Sequence, residues 1–329
     1  MNCHWLRDHG GDVEAVHIHW PEKLWNSGKS IIEKLNLIRL RCEFLRACGN
    51  RGVLRIWTLH NWIPHNNGSW VDRLGNFALA FYSDVILVHS ESVRRKVARC
   101  WGVGKKVLVM PSGNYRGVYP NPRSSAAVRN ELGLDAQRPI CAMLGHLRQN
   151  KGVAEVVEAA RRLGEHYQWL VGGHVDDQAT ADLLKSWRNY RSVRVIDRRL
   201  DDQEFADYSA AADCVLLPYH RSTGSGAMLA ALTFGRGVVA SKIPAFEELV
   251  GNEKHAAEFV RPKNPSSLVA GIERFFGAPL DQRHAAAERL VVQYDWDKVI
   301  APVADQLRSK LDACRCNPAR SGKRRPFNI

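Results

Sequence analysis

Short apolar runs alternate along this chain with longer segments whose apolar residues recur every three or four positions. The second half shows the alternation most clearly, because its apolar runs have the length of buried strands and the segments between them have helical spacing. The strand patterns there cover residues 140–144, 168–171, 193–196, 214–217 and 237–240. The helical patterns cover residues 153–163, 178–188, 202–211, 226–234 and 266–276. Strands that alternate with helices predict right-handed βαβ units and a parallel, doubly wound sheet.

The first third repeats the alternation less regularly. Strand patterns cover residues 13–19, 53–59, 85–88 and 107–110, and helical patterns cover residues 30–48 and 91–102. A proline-rich stretch at 119–125 is typical of a linker. We therefore expect an α/β protein of two Rossmann-like domains that bind a ligand in the cleft between them. The predicted divisions are a first domain at 1–118, a linker at 119–137, a second domain at 138–293, a crossing helix at 294–312 and a disordered basic tail at 313–329.

The composition narrows the class of protein. The chain has 329 residues, of which 45% are hydrophobic and 25% charged, as in soluble globular proteins. No apolar run approaches the roughly 20 residues that span a bilayer, and the N-terminus lacks the pattern of a secretory signal. The eight cysteines form no CxxC pair, so we expect reduced thiols, no metal site and a cytoplasmic location. A net charge of +13 favours polyanionic partners without selecting among them.

The sequence GHLRQNKG, at residues 145–152, joins a strand pattern to a helical one through a glycine-bounded turn. Arg148 and Lys151 lie in that turn. Backbone N–H groups at a helix start favour anions, and two cations strengthen the preference. The turn is therefore a candidate phosphate or diphosphate site, although an ordinary β–α turn with solvated basic residues fits the stretch equally well.

A second polar turn, STGSG at residues 222–226, follows the strand pattern at 214–217 and opens an apolar helix. Its small residues allow backbone amides to approach a ligand closely. Two such turns at one sheet edge would hold a diphosphate from both sides. A tight turn selected only for packing is the alternative.

The order GHLRQNKG, WLVGG, then PYHRSTGSG followed by FGRGVVAS resembles the donor half of retaining GT-B glycosyltransferases of family 4. The later stretch YDWDKVIAPVADQLRSKL resembles the helix that closes these enzymes. In the first half, HIHWPE, TLHNWIPH, ILVHS and PSGNY are similar to motifs of bacterial members that build exopolysaccharides. The resemblance implies a GT-B fold, transfer from a nucleotide-diphosphate sugar, and neither a metal nor a cofactor.

The resemblance also implies roles for single residues of the second half. Arg148 and Lys151 would hold the donor diphosphate and stabilise the charge of the departing nucleoside diphosphate. Backbone amides of Ser225 and Gly226 would contact the same phosphates, and Gly145 would leave room for the sugar nucleotide. Two further residues are donor-site candidates: Thr223 in the second turn and Glu248, which would bind the ribose.

In the first half, the resemblance places His60 against the donor sugar, where a neutral imidazole would bind a hydroxyl or a phosphate. Weaker candidates for the acceptor side of the cleft are His19, Asn61, His65 and Asn114. Retaining enzymes of this type have no agreed protein nucleophile, and no general base is assigned here.

Two departures from the family bear on activity. Many relatives carry two glutamates around the second turn, and the aligned positions here are Ser222 and Ala230. The first domain is also short, because only about a dozen residues precede HIHWPE where relatives have a strand, a loop and a helix. We therefore expect an incomplete first domain with an unpaired sheet edge.

The leading hypothesis is a retaining glycosyltransferase whose acceptor is a saccharide, carried on a lipid at the inner face of the plasma membrane. The basic amphipathic segment 30–51 would contact anionic lipid, unless its apolar stripe packs on the sheet. The alternative is a catalytically degenerate GT-B module that binds a nucleotide sugar or a protein without turnover. Nucleic-acid binding has only the charge in its favour, because no recognised basic motif with interleaved aromatic residues occurs. A nucleotide-sugar epimerase would require carboxylates poised for water attack, and none is evident.

Overall fold

The computed structural model describes residues 13–62, 69–224 and 226–316. The chain divides into two compact units. The first unit comprises Met1–Pro111 with Asp297–Ile329, and the second comprises Ser112–Trp296. His65 and Ser225 lie outside the described residues, so their predicted roles remain predictions.

The first unit contains a four-stranded parallel sheet in the order β1-β2-β3-β4. Its strands are β1 (Ala15–His19), β2 (Leu54–Thr58), β3 (Val85–Val88) and β4 (Val107–Val109). Among the described residues, β1 pairs only with β2, with Ile18 opposite Trp57, and so forms an edge of the sheet. Because all four strands run parallel, their carboxyl ends meet at one edge, and functional side chains of such sheets collect there.

Four helices accompany this sheet in the first half of the chain: α1 (Glu22–Trp25), α2 (Ile31–Asn50), α3 (Trp70–Tyr82) and α4 (Glu91–Trp101). Ser30 and Ser69 begin α2 and α3 with capping boxes, in which each serine accepts a hydrogen bond from a backbone N–H three residues later. The sequence pattern did not predict α3. Its buried face carries Asp72 and Asn76 beside apolar residues, and much of its exposed face is apolar, which removes the alternation that marks an amphipathic helix.

The second unit contains six parallel strands in the order β10-β9-β8-β5-β6-β7. They are β5 (Ile140–Leu144), β6 (Gln168–Gly172), β7 (Val193–Ile196), β8 (Cys214–Leu217), β9 (Val238–Ser241) and β10 (Ala257–Val260). The strand order reverses between β5 and β8, which are hydrogen-bonded neighbours. The turns that follow these two strands are therefore adjacent at the topological switch point, where doubly wound sheets bind ligands.

The helices of the second unit cover both faces of its sheet. They are α5 (Ser125–Glu131), α6 (Val153–Leu163), α7 (Gln178–Trp187), α8 (Asp202–Ala211), α9 (Gly226–Thr233), α10 (Pro244–Val250), α11 (Pro265–Phe276) and α12 (Leu280–Val291). The patterns predicted five of these and missed α5, α10, α12 and strand β10. The stretch 119–137, which we expected to be a linker, belongs to this unit, since Val128 of α5 is fully buried in one cluster with Ile140 and Leu170.

The last described helix, α13 (Trp296–Cys316), packs on the first sheet. Its Val303 and Cys314 are buried with Leu54, Ile56 and Leu87 of that sheet. The chain therefore returns to the first unit at its last described helix.

Candidate functional site

The turn after β5 and the turn after β8 touch each other. Gly152, with a φ of +83°, ends the first turn, and a Cβ built there would lie 2.3 Å from the carbonyl oxygen of Pro218. Only glycine fits both this backbone conformation and this approach. The backbone N–H of His220 donates to the carbonyl of Asn150 at 3.0 Å, which fixes the two turns together.

Lys151 lies where the two turns meet. Its Nζ is 3.7 Å from the ring centroid of Tyr219, which follows β8 and is itself buried. A cation over an aromatic face is attracted by the ring quadrupole. Burial, and secondarily the neighbouring charge of Arg148, lower the pKa of Lys151 to about 8. The ammonium group is thus poorly solvated, so that an anion bound beside it would gain strongly from its charge.

Arg148, on the same turn, is paired with a carboxylate in the loop after β6. Its Nε donates to Asp176, and two imidazoles also approach that carboxylate: His146 Nδ1 and His174 Nε2, each at 3.3 Å. A parallel bridge between Leu147 and Val175 brings the two loops into register. Asp176 therefore orients the guanidinium group. The sequence offered a signal for this contact in the two aspartates that follow WLVGGHV, but the pairing of β5 with β6 was needed to identify it.

A buried carboxylate, Glu155, lies in the first turn of α6 and was not predicted. One of its oxygens is 2.8 Å from Nε2 of His220. Among the described residues, no donor reaches its other oxygen. The pair links α6 to the turn after β8 and gives that turn a second connection besides the backbone hydrogen bond.

The second polar turn leads into α9 at Gly226. A Cβ on Gly226 would lie 2.7 Å from the hydroxyl oxygen of Tyr115, so this helix start also depends on glycine. Within the turn, the hydroxyl of Ser222 donates to the carbonyl of Gly224, and Thr223 is half-buried. Ala230, at the second position where relatives carry glutamate, is buried within α9.

Two further candidates lie elsewhere in the second unit. Glu248 is half-buried on α10, near Tyr294, whose pKa is raised to about 12 by burial and secondarily by this carboxylate. Asn114 is only 2% exposed, and its amide donates to the Val291 carbonyl and to Asp295, at 2.9 and 2.7 Å. This side chain anchors the segment after β4 to the end of α12, and the place of Asn114 in a cleft stays a prediction.

The first unit collects histidines at the carboxyl edge of its sheet. His19 ends β1, His60 lies just after β2, and His89 follows β3 directly. His60 lies in the middle, with its Nε2 2.7 Å from Nδ1 of His19 and its Nδ1 3.2 Å from Nε2 of His89. Burial, then the neighbouring imidazoles, lower the pKa of His60 to about 4, so the ring is neutral at pH 7.

The two histidine candidates differ in exposure and in hydrogen-bond partners, and the roles predicted for them stay predictions. Both ring nitrogens of His60 have imidazole partners, and the indole of Trp20 is stacked on its face at a centroid distance of 4.4 Å. His19 lies at the exposed end of the group. Asn61 is half-buried beside them. Sequence reasoning missed His89, although ILVHS was noted, since only strand order places it next to His60.

Neither a metal site nor a membrane-spanning helix is present among the described residues. No cluster of three or more His, Cys, Asp or Glu side chains in the described ranges is arranged to hold a metal ion. No helix within those ranges is both long and apolar enough to cross a membrane.

Part of the second unit matches a known family of proteins. Residues 138–277 match the family model described as "Glycosyl transferases group 1". The alpha-maltose-1-phosphate synthase of Mycolicibacterium smegmatis is 25% identical over 260 residues, which cover 72% of this chain and 64% of that protein. The putative teichuronic acid biosynthesis glycosyltransferase TuaC of Bacillus subtilis is 22% identical over 197 residues, or 59% of this chain and 47% of TuaC. The chain therefore spans between about half and two thirds of these relatives.

Solved structures share the fold at low sequence identity. Anabaena Alr3699/HepE in complex with UDP and glucose superposes with a TM-score of 0.70 at 16% identity, over 83% of this chain and 76% of that one. A sucrose-phosphate synthase from Thermosynechococcus elongatus gives a TM-score of 0.67 at 18% identity, over 87% of this chain and 81% of that one. The α/β GT-B fold expected from the sequence is confirmed. Within that fold, residues 138–277 form a glycosyl transferases group 1 domain.

Proposed function

We propose that this protein binds a nucleotide-diphosphate sugar and transfers the sugar, with retention of configuration, to a saccharide acceptor. The observation that carries the proposal is the position of Lys151 and Arg148 at the switch point of the second sheet, on a turn fixed against the turn after β8. Two cations beside the start of a helix favour a diphosphate group.

The proposed contacts follow from this geometry. The diphosphate lies against Lys151 Nζ and the terminal nitrogens of Arg148, whose Nε is held by Asp176. The backbone amide of Gly226, at the start of α9, binds it from the other side, and a contact from Ser225 stays a prediction. As the bond between sugar and phosphate breaks, negative charge grows on the leaving nucleoside diphosphate. The same cations then stabilise the transition state more than the bound donor, which is the condition for catalysis.

The donor class is proposed on the HepE structure, which holds UDP and glucose. We place the ribose near Glu248 and a sugar hydroxyl near Thr223. No general base is assigned, since in a retaining front-side reaction the donor phosphate itself accepts the proton of the acceptor. The acceptor is proposed to be lipid-linked, in the synthesis of an exopolysaccharide or another cell-surface glycan at the cytoplasmic face of the membrane.

A second candidate function is binding without turnover. It is favoured by one observation: Ser222 and the buried Ala230 stand where many relatives have carboxylates that contact the donor. Such a module would keep the diphosphate contacts and lack those to the sugar. Transfer of labelled sugar from a panel of UDP- and GDP-sugars to lipid-linked saccharides distinguishes the two functions.

The diphosphate site is tested by thermal shift with UDP, GDP and ADP. One of these nucleotides is expected to raise the melting temperature of the wild type. Arg148→Ala and Lys151→Ala should each weaken binding about tenfold or more, since each removes a charge-assisted contact of roughly 1.5–3 kcal/mol. Arg161→Ala is the matched control, because Arg161 is an exposed cation at the far end of α6, the helix that follows this turn. Equal loss of the shift in all three variants would contradict the proposed site.

The membrane contact is proposed at α3 rather than at residues 30–51. Helix α2 buries Ile38, Phe44 and Leu45, so its apolar stripe packs within the unit. On α3, by contrast, four large apolar side chains are exposed at spacings of four, three and four residues: Trp70 57%, Leu74 43%, Phe77 48% and Phe81 63%. Residues 13–111 carry fifteen Lys and Arg against seven Asp and Glu. Exposed aromatic residues on a basic unit suit an anionic lipid surface.

Replacing Phe77 and Phe81 together with serine is expected to reduce sedimentation with vesicles of mixed phosphatidylcholine and phosphatidylglycerol by at least about tenfold. The estimate follows from the roughly 1.5–3 kcal/mol gained when one large apolar side chain leaves water. Tyr190→Ser serves as the control, because Tyr190 is an exposed aromatic residue of the second unit. Unchanged sedimentation of the double variant would exclude α3 as the contact.

A further inference from the structure

Three imidazoles form a connected row at the carboxyl edge of the first sheet. We call His19, His60 and His89 the histidine chain. Its inner end is fixed by the backbone, since Nδ1 of His89 lies 3.0 Å from the carbonyl oxygen of Met110, the residue after β4. Each of the four strands therefore positions one of the hydrogen-bonded residues. The histidine chain forms only because these strands are parallel neighbours.

The carbonyl of Met110 determines the direction of every hydrogen bond in the row. A carbonyl oxygen only accepts, so His89 must carry its hydrogen on Nδ1. In a neutral imidazole the other nitrogen is then an acceptor, and His89 Nε2 requires a donor from His60 Nδ1. The same rule at His60 makes its Nε2 the acceptor for His19 Nδ1. The outermost nitrogen, Nε2 of His19, is left with a lone pair.

We propose that the histidine chain locks His19 in the tautomer with hydrogen on Nδ1, so that its Nε2 accepts a hydrogen bond from a sugar hydroxyl at the carboxyl end of β1. His60 and His89 are positioning residues that act through His19. The assignment of the ligand as a sugar rests on the proposed function, whereas the tautomer follows from the chain alone.

The surrounding residues keep the imidazoles of the histidine chain neutral and hold their positions. Burial, and then the neighbouring imidazoles, lower the pKa of His60, and burial followed by His89 lowers that of His19. Trp20 is held at a φ of +44°, a backbone conformation that non-glycine residues seldom adopt, and its indole covers His60. His17 is not part of the histidine chain, because its Nε2 is 2.7 Å from the hydroxyl oxygen of Thr58.

A neutral acceptor selects a different ligand group from the one selected in the second unit. Arg148 and Lys151 attract phosphate oxygens, while the lone pair of His19 repels them and requires an O–H or N–H donor. The resemblance implied a hydroxyl or a phosphate as the ligand of His60. At His19, the histidine chain selects the hydroxyl.

Nitrogen-15 NMR of the histidine rings in the full chain at about pH 7.5 tests the tautomer directly, because protonated and unprotonated ring nitrogens have distinct shifts. The expected spectrum has hydrogen on Nδ1 at His19, His60 and His89. His89→Phe, which does not touch His19, should release the lock and move the His19 signals toward a mixture of tautomers. His60→Gln provides a second break in the chain should the first variant fold poorly.

The matched control is His17→Phe, whose ring also lies beside His19, at 4.1 Å between centroids. It should leave the His19 tautomer unchanged. An Nε2–H tautomer at His19 in the wild type, or an equal effect of His17→Phe and His89→Phe, would overturn the lock whether or not the protein transfers sugar.

The ligand measurement compares glucose with inorganic phosphate. A shift of the His19 Nε2 signal with glucose but not with phosphate supports the sugar hydroxyl as its donor. Equal shifts with both, or none with glucose, would overturn that assignment. Loss of all nucleotide binding would instead refute the proposed function and leave the tautomer measurement valid.

Discussion

Replacing Gly173 with alanine is expected to destabilise the second unit by about 3–5 kcal/mol, in the range seen only for severe single substitutions. Gly173 follows β6 with a φ of +148°, and a Cβ there would lie 1.6 Å from the carbonyl oxygen of Gly145. The neighbouring backbone cannot withdraw easily, because the N–H of Gly145 donates to the carbonyl of Gly172 at 2.9 Å. The strand ends that support the cationic turn would have to separate.

Gly117→Ala separates the free-energy cost of the steric contact from the cost of the left-handed backbone conformation. Gly117 has a φ of +73°, and no atom lies within 4 Å of its Cβ position. Its substitution should cost about 1–2 kcal/mol, the penalty of a left-handed conformation alone. Urea denaturation of both variants measures the difference. Equal losses would show that the Gly145 carbonyl moves away at little cost.

Raising the pH from about 7 to about 9 is expected to weaken nucleotide-diphosphate binding about tenfold through Lys151. The free protein has the pKa of Lys151 lowered to about 8, and a bound diphosphate raises it by favouring the ammonium form. Binding therefore takes up a proton above the pKa of the free protein, so that affinity falls as pH rises. Phosphate groups titrate near pH 6 and stay fully charged across this interval.

Lys151→Arg tests the sign of this dependence, because a guanidinium group stays charged throughout the range. It should bind with an affinity that is nearly independent of pH. Lys151→Met should bind about 10–100-fold more weakly at neutral pH, where it lacks a charge-assisted contact, and should also lose the pH dependence. Calorimetric titration of the three proteins provides the affinities. A wild-type affinity constant across the interval would remove Lys151 from the site.

Local sequence fixed the strands that are buried on both faces. The ranges predicted for β3, β5 and β8 coincide with those observed, because continuous apolar runs of this length bounded by polar residues have few other solutions in a parallel sheet. Helices α3 and α12 escaped prediction. The first buries Asp72 and Asn76 and exposes apolar side chains, and the second buries Arg283 beside two alanines, Leu290 and Val291, which blurs the periodicity of both.

The residues of the candidate site likewise divide into those predicted from the sequence and those that only the structure identified. Arg148, Lys151 and the glycines around them were found from the sequence, because a strand, a glycine turn and a helix are contiguous in the chain. Asp176 and Tyr219 were not found, because each touches the turn from another loop, across a separation in sequence that only strand order closes. Glu155 follows the turn directly but was not found, because its partner His220 lies on another loop.

The sequence by itself determined that this protein has two parallel α/β sheets and a basic turn suited to a diphosphate. Local periodicity and turn chemistry carry that information. The tertiary structure decided which loops meet, and hence that Asp176 holds Arg148 and that Tyr219 lies under Lys151. It also decided that three histidines from separate strands form one row with a fixed direction. Hydrogen-bond direction depends on the partner across the sheet, and that partner is set by topology.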